Sequence, residues 1–122
     1  SDMHTPEETL KLYEERIGGG FENVRDLIDE HAVFWFTSGT FKGIESIKEA
    51  FERTAAKLKS EKYWLSDKQW VASNVCTYRF NWIANVDGKP VQGEGRGTTV
   101  LKEIDGKWKI IHEHLSKFPQ AT

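Results

Sequence analysis

Val75-Cys-Thr-Tyr-Arg-Phe-Asn-Trp-Ile-Ala-Asn-Val86, Asp87-Gly88, Lys89-Pro-Val-Gln-Gly-Glu-Gly-Arg-Gly-Thr-Thr-Val-Leu-Lys-Glu-Ile104, Asp105-Gly106, Lys107-Trp-Lys-Ile-Ile-His-Glu-His-Leu-Ser-Lys117 is the stretch that decides the fold. Its apolar residues alternate, and Asp-Gly breaks it twice. Asp-Gly between alternating runs is a strong hairpin signal, because both turn positions need positive φ. The stretch predicts three long antiparallel strands, and a fourth strand over about Lys62–Ala72 precedes them across Ser73-Asn74.

A two-residue loop at Asp87-Gly88 sets Trp82 opposite Gly93, Phe80 opposite Gly95 and Tyr78 opposite Gly97. Three rings then lie against three residues without side chains, which is a favourable cross-strand pairing and lets the sheet bend. Arg79, Asn81, Glu94, Arg96 and Thr98 occupy the opposite, convex face. The last hairpin leaves two registers open. A two-residue loop turns His112 and His114 toward the aromatic face, whereas a three-residue loop, Ile104-Asp105-Gly106, turns Ile111, Glu113 and Leu115 there. A shift of one residue exchanges the two faces of a strand.

Upstream, the period is helical. Thr5-Pro6-Glu7-Glu8 is a capping box with proline at the first helical position. Leu10, Tyr13 and Ile17 follow at helical spacing, and Gly18-Gly19-Gly20 ends that helix. A second short helix is expected over about Phe21–Asp29, and a third over about Ile44–Lys59 with Ile44, Ile47, Phe51 and Leu58 as its apolar stripe. Ala32–Phe36 reads as a buried strand and Phe41 as the start of a short return strand. The expected architecture is α+β, with three helices on the concave face of a strongly bent, mainly antiparallel sheet. Residues 3–119 form one domain, and Ser1-Asp2 before Met3 reads as an appendage.

Bulk properties narrow the partners. A net charge of −2 with both signs interspersed favours neither nucleic acid nor an anionic membrane. The longest apolar run, Ala32–Phe36, is too short to cross a bilayer, and no charged-then-apolar leader is visible. Cys76 is the one cysteine, so no intrachain disulfide forms, and a cytoplasmic location is expected. His112 and His114 have a spacing usable for a metal, but no third ligand stands out, so neither metal nor cofactor is expected.

The runs Gly95-Arg96-Gly97-Thr98-Thr99-Val100-Leu101 and Asp105-Gly106-Lys107-Trp108, continuing to His112-Glu113-His114-Leu115-Ser116, resemble the nuclear transport factor 2-like superfamily. The resemblance is closest to its SnoaL-like branch and to the association domain of calcium/calmodulin-dependent kinase, and it covers nearly the whole chain. It implies a cone enclosing a pocket, a homodimer formed through the outer face of the sheet, and the three-residue loop in the last hairpin. In the kinase association domain arginines project into the pocket; two matching positions here hold Thr99 and Leu115. The isomerases of the fold use a tyrosine with two acids. Tyr13 is a candidate for the tyrosine, but paired acids at strand spacing on the aromatic face are absent.

Tyr13, Trp35, Tyr78, Phe80, Trp82 and Thr99 are thus the expected pocket wall for a small apolar or aromatic molecule. Glu113 is the candidate acid or base, because burial in an aromatic space raises a carboxyl pKa. Its competing role is an ion pair at the rim. Arg79, Arg96, Trp108, His112 and His114 are the expected homodimer face. Two functions follow: a small-molecule-binding or weakly catalytic protein, or an assembly module whose pocket is incidental.

Overall fold

A computed structural model describes residues 3–120, apart from the side chains of residues 60 and 61; Ser1 and Asp2 lie outside the described residues. Thr5 caps helix α1 (Pro6–Arg16) by accepting the Glu8 N–H at 3.1 Å, and Leu10 and Tyr13 point inward. The second expected helix does not form. Ile17–Gly19, Phe21–Asn23 and Arg25–Leu27 are successive 3₁₀ turns, and Ile28 already opens strand β1 (Ile28–Phe36). Phe21, Val24 and Leu27 are still buried. Their spacing of three suits a 3₁₀ turn as well as an α-helix, and Gly20 at φ 102° interrupts helical propagation. Among the described residues there are therefore two α-helices rather than three.

Strand β2 (Gly39–Lys42) returns against β1, and helix α2 (Ile44–Lys57) follows. Strands β3 (Lys59–Ala72), β4 (Val75–Val86), β5 (Lys89–Ile104) and β6 (Lys107–Lys117) form the expected antiparallel meander. The six strands lie in the order β2-β1-β6-β5-β4-β3, and β1 runs parallel to β6. Both helices pack on one face, where Tyr13, Ile47, Phe34, Leu101 and Ile110 share a core. A second cluster of Leu10, Leu65, Cys76, Tyr78 and Phe80 lies beside it. Among the described residues, no helix is long and apolar enough to cross a membrane.

Tyr78, Phe80 and Trp82 face Gly97, Gly95 and Gly93 as the first Asp-Gly turn requires. The rings occupy the space that side chains on those glycines would need. The second Asp-Gly also closes a two-residue loop, since Ile104 pairs with Lys107 and Asp105 has φ 51°. The three-residue loop is therefore not formed. Between Val100 and Leu101 the register shifts, and Ile111 is the extra residue on β6. Beyond this bulge Thr99 pairs with Glu113 and Gly97 with Leu115. Ile110, before the bulge, and Glu113, after it, are both buried. A bulge lets one strand present both sets inward, which a regular strand cannot do.

Candidate functional site

Glu113 is 1% exposed and stands among hydroxyl groups. The Tyr13 hydroxyl on α1 donates to its Oε2 at 3.3 Å, and the Tyr78 hydroxyl on β4 donates to its Oε1 at 3.4 Å. Tyr78 Oη also lies 2.7 Å from Thr99 Oγ1, with either oxygen able to donate. Burial pushes the Glu113 carboxyl up to about 8, and the bonds from Tyr13 and Tyr78 only partly offset it. Two long hydrogen bonds from neutral phenols replace little of the hydration that a carboxylate loses on burial.

The phenols are held neutral as well. Burial first, then the Glu113 charge, raises Tyr13 and Tyr78 well above the ordinary tyrosine range. Tyr63 on β3 is raised by burial, then by Glu113 and Glu14. Tyr63 stacks on Phe80 with ring centres 6.4 Å apart. The site is thus rich in proton donors. It can polarise an oxygen atom of a bound molecule, and Glu113 can transfer a proton to it.

Of the expected pocket residues, Tyr13, Tyr78, Phe80 and Thr99 lie on the helix-covered side with Glu113. Trp82 is half-buried over Gly93. Trp35 does not join them. It is 45% exposed on the opposite face, with edge contacts to His112 at 5.0 Å and His114 at 5.2 Å. Phe34 and Phe36 take the inward positions of β1, and alternation turns Trp35 out.

Arg79 and Arg96 occupy the outer face, where both approach the Phe118 ring, and Arg79 pairs with Glu94 at 3.0 Å. The His112 Nδ1–H donates to the Val33 carbonyl at 2.6 Å. Trp108 departs from its expected place beside them. It precedes the bulge, packs its side chain against the core and donates its backbone N–H to the Met3 carbonyl at 2.9 Å. Ile110 is inward for the same reason. Among the described residues, no three His, Cys, Asp or Glu side chains gather into a metal site. Burial raises the Cys76 thiol, which suits a packed side chain better than a nucleophile.

Two residues near the site escape a reading of the sequence. Tyr63 sits beside Trp64, so two adjacent rings point to opposite faces and the local pattern does not say which is inward. Glu14 accepts the Leu65 N–H at 2.7 Å and the Lys68 ammonium at 2.7 Å, tying α1 to β3. On α1 it is one of several glutamates, and nothing local distinguishes it.

The profile of the SnoaL-like domain family matches residues 10–121. The chain belongs to the SnoaL-like domain family. No curated protein sequence matches this SnoaL-like domain. Its solved structural relatives include a nuclear transport factor 2-like superfamily protein of Salmonella enterica, with 21% identity and TM-score 0.72, covering 94% of this chain and 89% of the other. A Xanthomonas campestris protein assigned as a calcium/calmodulin-dependent protein kinase II association domain has 22% identity and TM-score 0.75, over 92% and 84% of the two chains. A ketosteroid isomerase-like protein of Erwinia carotovora has 12% identity and TM-score 0.76, over 98% of each chain. At such identities the likeness establishes the nuclear transport factor 2-like cone fold, which leaves the function of this SnoaL-like domain to its own side chains.

Proposed function

We propose that this SnoaL-like domain binds a small, largely apolar molecule carrying a carbonyl oxygen and acts on it by acid–base chemistry through Glu113. The observation that carries this reading is the buried carboxyl held between two neutral phenols. A carboxylic acid that stays protonated near neutral pH donates a hydrogen bond that a carboxylate cannot, and the donation strengthens as negative charge develops on the acceptor. Ketosteroid isomerase-like and SnoaL-like relatives share the fold, which agrees with the reading without carrying it.

Infrared difference spectroscopy with 2-acetylnaphthalene as probe tests it. The bound carbonyl stretch should move to lower frequency in the wild type and return toward the free value in Glu113→Gln. A bound probe whose carbonyl is unshifted in the wild type rules the reading out.

A second reading concerns assembly. A tryptophan 45% exposed between two histidines on an open sheet face is what a homodimer centre needs. In that reading two copies meet through Trp35, His112, His114, Arg79 and Arg96. Light scattering at micromolar concentration distinguishes a dimer from a monomer mass.

A further inference from the structure

Between α1 and β3 lies a recess of about 600 Å³, open to solvent. Its apolar wall is Leu10, Tyr63 and Trp70. Leu10 and Tyr63 also belong to the cluster that contains Tyr78 and Phe80, so the recess adjoins the neighbourhood of Glu113. The Tyr63 hydroxyl has no hydrogen-bond partner among the described residues, unlike those of Tyr13 and Tyr78. A neutral phenol that lines an open recess offers a donor to whatever enters it.

The rim fixes the charge that an incoming molecule meets. Glu14 has both oxygens engaged, by Leu65 N–H and Lys68, so its charge is balanced. Glu7 and Glu15 also line the recess, and neither forms an ion pair among the described residues; Lys11 is the one unpaired cation there. Two carboxylates against one ammonium leave the mouth negative. A carboxylate ligand is repelled at this rim, whereas an uncharged flat molecule meets two aromatic walls.

We propose that this recess is the entry and binding site for a flat, uncharged aryl carbonyl compound, with Tyr63 donating a hydrogen bond to the ligand oxygen and Glu7 and Glu15 selecting against carboxylates. The proposal rests on the reading of Glu113 as the acid and adds its substrate class and its port.

Three naphthalenes of equal ring area test it on the intact chain: 2-acetylnaphthalene, 2-ethylnaphthalene and 2-naphthoate. Amide and indole NMR shifts should locate the ketone at Trp70 and the Leu65–Trp70 segment. Tyr63→Phe should weaken the ketone roughly threefold to tenfold, as for loss of one hydrogen bond, and leave 2-ethylnaphthalene unchanged. Naphthoate should bind more weakly than the ketone, and the double variant Glu7→Gln/Glu15→Gln should narrow that gap. No ketone binding, shifts confined to the outer sheet face, or naphthoate bound as tightly as the ketone would each overturn the proposal. In Glu113→Gln the Trp70 shifts should persist while the carbonyl infrared shift shrinks to the part that Tyr63 supplies, which Tyr63→Phe should remove. An infrared shift that is the same in the wild type and Glu113→Gln, with Trp70 perturbed in both, refutes the acid, and an unperturbed Trp70 refutes the recess.

Discussion

The Tyr13 hydroxyl donates to Glu113 Oε2 across 3.3 Å, joining the first helix to the last strand inside the protein. This bond favours the charged form of Glu113 and so holds its pKa below what burial alone would give. Tyr13→Phe should therefore move the Glu113 midpoint above about 8. Titration of the ¹³C-labelled side-chain carboxyl by NMR reads this directly; a midpoint that falls contradicts the geometry.

Glu113 also makes folding depend on pH. Its folded pKa of about 8 lies above the ordinary 4.5, so the folded state binds the proton more tightly than the unfolded state. Its contribution is fully present below pH 4.5 and is lost as pH rises through 8. The loss is on the order of a few kcal/mol. Glu113→Gln, which resembles the neutral acid, should match the wild type in the acid range and exceed it in urea stability at pH 9. Equal slopes of stability against pH for the two proteins would count against a buried, neutral Glu113.

Gly95 and Gly18 should respond oppositely to alanine. A Cβ on Gly95 would overlap the Phe80 ring and the Ser116 carbonyl, and the latter is backbone that cannot swing aside. Gly95→Ala should cost about 1–3 kcal/mol. Gly18 has nothing within 4 Å of such an atom, so Gly18→Ala should be neutral or stabilise by up to about 1 kcal/mol through the unfolded chain. Chemical denaturation of both variants checks the contrast; equal losses would mean that the rings do not fill the glycine positions.

If two copies meet through the outer face, Trp35→Glu should shift the mass by light scattering from dimer to monomer. Because Trp35 is 45% exposed in the single chain, its contribution to the fold is small, and stability at a fixed monomeric concentration should change by no more than about 1 kcal/mol. A dimer that survives the substitution places the interface elsewhere.

Much of the fold is legible because it is local. The two Asp-Gly turns set φ at their own residues, and β4, β5 and β6 begin and end where those turns and the alternation place them. The facing of Tyr78, Phe80 and Trp82 with three glycines follows from one turn and a period of two. The capping box of α1 is equally self-contained. The segment from Phe21 to Leu27 was less legible, since residues three apart satisfy an α-helix and a chain of 3₁₀ turns alike, and only the path required by Gly20 separates them.

The site itself was legible in part. Glu113, Tyr13, Tyr78 and Thr99 could be named from the chain, and their hydrogen bonds join residues as much as 100 positions apart. Trp35, expected in the pocket wall, lies on the opposite face, because β1 alternates two large apolar sets and nothing in that stretch says which faces inward. By itself the sequence determined the Asp87-Gly88 turn, the extents of the strands and the aromatic face, since each depends on the φ and side-chain period of nearby residues, whereas it left the loop at Asp105-Gly106 open. The tertiary structure alone decided that β6 bulges at Ile111 where it pairs with β5 on one side and β1 on the other. That bulge lets Ile110 enter the core and Glu113 meet Tyr13 on the same strand, because fitting two neighbours at once is a constraint that no single stretch of chain contains.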